Sequence, residues 1–169
     1  MLKELAIYGN ELLSKGEMVY PGYRVFSDSN PINWILHVGP DGTLLHEPEK
    51  VEIRKPRPHR KRSGSPGPQN LKPYLLVDEA RYALGIPEPG KEQESELLHG
   101  GFVDLLKEAY ETTRAPYLTP ILELLEKDID RTSLAPIIGP RDVVTFKVGD
   151  LPYPFERRVM QEFWAKHIS

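Results

Sequence analysis

The segment 54–73, RKPRPHRKRSGSPGPQNLKP, limits the possible folds more than any other part of the chain. It contains five prolines and two glycines. Proline lacks the amide hydrogen that a helix interior or a central strand requires. We therefore predict a long loop here. A loop of this length inside a domain is usually either functional or disordered.

The same loop is strongly basic and contains no Asp or Glu between its first arginine and its last lysine. Its seven basic residues are Arg54, Lys55, Arg57, Arg60, Lys61, Arg62 and Lys72. Crowded like charges repel one another, and a polyanionic partner would relieve this repulsion. We therefore favour a loop that binds a polyanion over a solvated loop without a function. Arginine offers a planar pair of donors to phosphate or to guanine. The amides of Gln69 and Asn70 at the end of the loop suit base edges.

Composition narrows the class of protein. The chain of 169 residues has a net charge of −3, but residues 1–72 hold 11 basic and 8 acidic residues. The positive charge is therefore concentrated in the first part of the chain. There is no cysteine, which excludes disulfides and cysteine-based zinc sites. No apolar run approaches the roughly 20 residues that span a bilayer. We predict a cytoplasmic protein that has no membrane partner.

Hydrophobic spacing predicts an α+β domain, with a small antiparallel sheet, helices packed against it and the long basic loop. Apolar residues at three- and four-residue spacing predict helices over 2–15, 97–110, 116–128 and 156–167. Strands are predicted at 32–38, returning through 43–46 after a Gly-Pro-Asp-Gly turn, near 51–53, and at 143–148. Asp78 is expected to cap a short helix that ends at Gly85.

Several segments, in order, resemble the start of the large-subunit protein of the type I-C CRISPR surveillance complex, the Csd family. They begin with LKEL at 2–5 and INWIL at 32–36, which an Asp-Gly turn follows. The best match is KPYLLVDEARYALG at 72–85. Phe102, Pro116, VTFKV at 144–148 and Phe163-Trp164 follow in the same order. The chain departs from the family in Pro-Gly-Pro at 66–68 and in Tyr74.

The resemblance implies that residues 1–169 form a single N-terminal domain of a longer protein, since family members are several times longer. It implies a non-catalytic subunit without a cofactor, placed near the 5′ handle of the guide RNA. This subunit would recognise the motif that flanks the target in double-stranded DNA and help open the duplex. Its partners would be the target DNA, the guide RNA, the other subunits and the recruited helicase-nuclease.

The resemblance also suggests roles for the loop residues. The candidates for reading the flanking motif are Lys72 of the Lys-Pro motif and the amides of Gln69 and Asn70 just before it. Arg57, Arg60, Lys61 and Arg62 are the candidates for phosphate contacts.

Two other functions remain open from the sequence alone. Asp41 and Glu52, with Arg54 where a lysine would be expected, loosely match the carboxylates of metal-dependent nucleases. A plain hairpin turn explains Asp41 far better than a nuclease site does. The five histidines show no metal-binding spacing, so no metal site is predicted. The other possibility is a protein-interaction adaptor whose basic loop binds an acidic protein surface.

Overall fold

The computed structural model describes residues 20–25, 30–127 and 129–169. The helix predicted over 2–15, and with it the LKEL motif, lies outside these residues. The strands are β1 Tyr23–Arg24, β2 Ile32–Val38, β3 Glu49–Ile53, β4 Arg57–Pro58, β5 Asp78–Glu79 and β6 Val143–Val148. The helices are α1 Ala80–Ala83, α2 Glu92–Thr113, α3 Leu118–Glu126, α4 Arg131–Leu134 and α5 Arg158–Ile168, which a 3-10 turn at Pro154–Glu156 precedes.

The main sheet has four strands in the order β3-β2-β6-β5. β2 pairs antiparallel with β3 and parallel with β6, and β5 runs antiparallel to β6. The α+β class is confirmed. The sheet is mixed rather than wholly antiparallel because a long connection, which includes four helices as well as β3, β4 and β5, separates β2 from β6. Such a connection allows the chain to enter the sheet again in the same direction, which a tight hairpin cannot do.

The two faces of the sheet are covered by different parts of the chain. On one face, Phe146 of β6 packs against Phe102 of α2, with ring centroids 6.3 Å apart. Thr145 points to the opposite face, since side chains alternate along a strand. Its hydroxyl donates to the carbonyl of Leu76 at 2.9 Å. The segment that follows the basic loop therefore lies against the second face.

The predicted strands 32–38 and 143–148 match β2 and β6, and the turn at 39–42 is confirmed. The amide of Gly39 donates to the carbonyl of Thr43 at 2.7 Å, and Gly42 has a φ of 80°. The returning strand is shorter than predicted, with one isolated bridge between Val38 and Leu44. The chain bends after it, and the antiparallel partner of β2 is β3.

Two details of the helix prediction are wrong. Asp78 does not cap the following helix, because it lies in β5 and its buried carboxylate accepts from the amides of Tyr74 and Glu79. Gly85, with a φ of 70°, does follow α1 as predicted. α2 begins at Glu92, earlier than predicted, since acidic residues in a first turn are stabilised by the helix dipole.

No helix among the described residues is both long and apolar enough to cross a membrane.

Candidate nucleic-acid interface

The first part of the basic loop is held against the body of the protein. Arg57 and Pro58 form β4, which pairs with β1 in a separate two-stranded ladder. The amide of His59 donates to the carbonyl of Gly22 at 2.7 Å. The loop prediction thus holds except for one short strand. Arg57 is only 6% exposed. Of the predicted phosphate contacts, Arg57 is therefore the one that burial limits most.

Trp164 of α5 supports this part of the loop from below. Its side chain is fully buried, and the indole N–H donates to the carbonyl of Gly22 at 2.9 Å. The guanidinium of Arg60 lies 5.6 Å from the Trp164 ring centroid, within the range of a cation–π contact. The ring of Tyr74 meets the indole edge-on at 6.4 Å. Trp164 thus links the loop to the C-terminal helix.

Arg62 points into the protein, where it joins two distant segments. Its guanidinium pairs with Asp78 at 2.5 Å and donates to the carbonyl of Lys72 at 2.9 Å. It also lies between the rings of Tyr74 and Tyr82, 3.7 and 3.9 Å from their centroids. Asp78 has no exposed side-chain surface. These contacts occupy two of the three guanidinium nitrogens and both faces of the group, so Arg62 anchors the loop.

The turn at 63–70 is shaped by Asn70. Its side-chain amide donates to the carbonyls of Ser63 and Ser65 at 3.0 and 2.9 Å. Gly64 has a φ of 77°, which residues with a Cβ rarely adopt. The Asn70 N–H groups predicted to read bases are engaged inside the turn, whereas Gln69 beside it is exposed.

Four further loop cations differ in their partners. Arg54 pairs with Glu52 at 2.9 Å, and Lys55 pairs with Glu156 at 3.1 Å. Such surface pairs are weak, about 0–1 kcal/mol, and a phosphate can replace the carboxylate. Lys61 is exposed and Lys72 is half-buried, and within the described residues neither has a carboxylate within 4.0 Å. Lys61 and Lys72 are therefore the loop cations best placed for an external anion.

A network of ion pairs beside the loop was not predicted. Arg81 contacts Glu79 at 3.0 Å and Glu94 at 3.7 Å, and Arg141 contacts Glu88 at 3.0 Å. These residues come from β5, α1, the segment between α1 and α2, α2 and the turn before β6. Arg81 lies in the 72–85 motif, but no local pattern connects it with residues so far along the chain.

The carboxylates of the nuclease hypothesis are both engaged in local contacts. Asp41 accepts from the hydroxyl of Thr43 at 2.7 Å and from its amide at 3.3 Å. These hydrogen bonds hold the pKa of Asp41 below its ordinary value. Glu52 pairs with Arg54 two residues away. The described residues contain no group of three or more His, Cys, Asp or Glu that could hold a metal ion.

His59 makes the loop sensitive to acid. Burial, followed by the charges of Arg24, Arg57 and Arg62, lowers the pKa of His59 from 6.5 to about 4. At a pH between these two pKa values, His59 is protonated in the unfolded chain and neutral in the folded protein. The stability contributed by neutral His59 is complete above pH 6.5 and is lost as the pH falls towards 4.

We expect this group to account for about 1–2 kcal/mol of lost stability between pH 7 and pH 4, after allowance for solvent screening. Urea denaturation at both pH values measures it. His59→Gln should reduce the pH dependence, whereas His46→Gln, at an exposed site, should leave it unchanged. An equal pH dependence in wild type and His59→Gln would contradict the assignment.

Comparison with known proteins adds one match. The model of the family described as CRISPR-associated protein (Cas_Csd1) matches residues 5–169. No curated protein sequence matches the chain.

Proposed function

The chain belongs to the Csd1 family of CRISPR-associated proteins, and on this premise we propose that it reads the target-flanking motif in double-stranded DNA. In this proposal it is a non-catalytic, cytoplasmic subunit of an RNA-guided surveillance complex and helps open the duplex. Its partners are the target DNA, the guide RNA, the other subunits and the recruited helicase-nuclease. Protein reading of a short flank combined with base pairing elsewhere is the logic of RNA-guided recognition.

The anchored basic loop is the observation that carries the proposal. Trp164 holds the loop at Arg60 and Arg62 holds it through Asp78, while Lys61 and Gln69 remain exposed. A loop ordered before binding loses less conformational entropy when it meets its ligand. Exposed lysines contact phosphates, whereas an exposed amide can donate to and accept from a base edge. The loop therefore offers contacts for both position and sequence.

The experiment measures fluorescence anisotropy of short duplexes that carry a library of flanking trinucleotides. The test variant is Lys55→Gln/Lys61→Gln, which removes two exposed lysines of the basic loop. The control is Lys107→Gln/Lys127→Gln, which removes the same charge from exposed lysines of α2 and the end of α3. We expect the test variant to bind about ten-fold more weakly and its salt slope to fall by about two, one for each lost phosphate contact. The control should change less than about two-fold.

A preference for particular trinucleotides in wild type would support flank reading. Equal losses in the test and control variants would mean that only net charge matters, and would contradict the role of the loop. Binding to an acidic protein surface without any binding to duplex DNA at low salt would favour the adaptor function instead.

A further inference from the structure

A cavity of about 340 Å³ lies between the 63–70 turn of the basic loop and the start of α2. We call it the cationic cavity, because five of its lining side chains are basic and one, Glu94, is acidic. The basic residues are Arg62, Lys72, Arg81, Lys91 and Arg141. This volume is typical of a pocket for a small ligand and too small for a base-paired duplex. The cavity is therefore a different kind of site from a duplex-binding surface.

The arginines of the cationic cavity are held in place by carboxylates. Arg62 pairs with Asp78, while Arg81 and Arg141 share Glu79, at 3.0 and 3.6 Å. With Glu88 and Glu94, which also contact Arg81, four carboxylates offset the three arginine charges and fix the guanidinium groups. A fixed donor loses less entropy when it binds a ligand.

Two lysines make the net charge around the cationic cavity positive. Within the described ranges, neither Lys72 nor Lys91 has a carboxylate within 4.0 Å of its amino group. Lys91 also directly precedes α2, a helix of 22 residues whose N-terminal end carries a partial positive charge. The charge of Lys91 also acts on Glu88, which helps to hold the pKa of that carboxyl below its ordinary value. The five cations and the four carboxylates Asp78, Glu79, Glu88 and Glu94 leave a net charge of +1, which favours an anion.

Neutral groups complete the lining. Ser63 and Ser65 line the cavity with hydroxyl-bearing side chains, while their carbonyls already accept from Asn70. Hydroxyls and lysine amino groups are common donors to phosphate oxygens. Glu94 supplies an acceptor on the same wall, which suits a sugar hydroxyl or an amino group of a base. The set of donors and the one acceptor match a nucleotide better than a bare anion.

We propose that the cationic cavity binds one nucleotide through its phosphate, with Lys72 and Lys91 as direct phosphate contacts. The nucleotide is either free or part of a single strand, at its end or within it. The choice of a nucleotide as ligand rests on the proposed nucleic-acid function. Lys91, which lies outside the basic loop, thereby becomes a binding residue.

Three probes distinguish the sources of the phosphate. They are a 3′-labelled single-stranded DNA 10-mer with a 5′-phosphate, the same oligonucleotide with a 5′-hydroxyl, and free guanosine monophosphate measured by calorimetry. The variant is Lys91→Gln, and the matched control is Lys107→Gln, an exposed lysine further along the same helix. Both variants should unfold at the wild-type temperature, which shows that any loss of binding is local.

We expect Lys91→Gln to weaken at least one probe by about five-fold or more, as for the loss of a charged hydrogen bond. The control should change less than about two-fold. A loss confined to the 5′-phosphorylated strand identifies a terminal phosphate, a loss with both strands identifies an internal phosphate, and a loss with guanosine monophosphate alone identifies a free nucleotide.

Equal behaviour of Lys91→Gln and Lys107→Gln with all three probes would overturn the proposal, as would a wild type that binds none of them. The duplex assay separates this failure from that of the proposed function. If wild type still binds flanked duplexes while the nucleotide probes fail, only the cavity assignment is lost.

Discussion

Arg62→Ala is expected to destabilise the protein by about 3–5 kcal/mol, because it leaves a buried carboxylate without its partner. Asp78 has no exposed side-chain surface, and its ion pair with Arg62 is 2.5 Å long. Two backbone amides would still donate to Asp78, but its ion-pair partner would be gone. Urea denaturation at pH 7 measures the loss. For a chain of this size it corresponds to a fall in Tm of about 10 °C.

Lys61→Ala is the matched control, since it removes an adjacent, exposed cation. Its effect should stay within about 0.5 kcal/mol. The double variant Arg62→Met/Asp78→Leu should recover much of the loss, because apolar residues can replace a buried ion pair. If Arg62→Ala costs no more than Lys61→Ala, Arg62 does not anchor the loop and its predicted role as a phosphate contact regains support.

Trp164→Ala is expected to cost a further and separate 3–5 kcal/mol or so, the usual range for the loss of a buried large aromatic side chain. Trp164 is fully buried, and its N–H donates to Gly22. The substitution also removes the surface beneath the Arg60 guanidinium. Denaturation measures the free energy of unfolding. Hydrogen exchange should show faster exchange at His59, whose amide is bonded to the carbonyl of Gly22.

Trp164→Phe provides the graded control, because it keeps most of the apolar volume and loses the hydrogen bond to Gly22. Its loss of unfolding free energy should be about half that of Trp164→Ala. Trp34→Phe tests the other tryptophan, which is half-buried and donates to Asp142 at 3.0 Å. Trp164 does not support the loop if Trp164→Ala has the same free energy of unfolding as Trp34→Phe and hydrogen exchange at the His59 amide is unchanged.

Local sequence patterns were sufficient to predict the strands and the turn that depend on preferences of neighbouring residues. β2 and β6 follow from short runs of apolar and β-branched residues, and the turn at 39–42 follows from Gly-Pro-Asp-Gly. The basic loop follows from its prolines and from the absence of acidic residues. In each case the physical preference belongs to neighbouring residues, so it can be recognised without the rest of the chain.

The Asp78 error has the opposite origin. An Asp before a helical segment is a common cap, and nothing nearby in the sequence argues against it. The carboxylate instead forms an ion pair with Arg62, which lies 16 positions earlier in the chain. A buried charge must be paired, so this long-range partner outweighs the local preference for a cap.

The loop residues show the same division. Their charge and composition predicted the candidate interface, but not which side chains point outward. Arg62 and Asn70 serve the internal structure, whereas Lys61 and Gln69 are exposed. This distinction depends on tyrosine rings and carbonyl groups that only the folded chain brings close.

By itself the sequence determined the α+β class, the extent of the basic loop and the family resemblance, because each depends on residue order or short-range preference. The tertiary structure alone decided the parallel pairing of β2 with β6, the anchoring role of Arg62, and the meeting of Lys72 with Lys91 at one cavity. Packing and the pairing of buried charge act between residues far apart in the chain. They are satisfied only when the whole domain has folded.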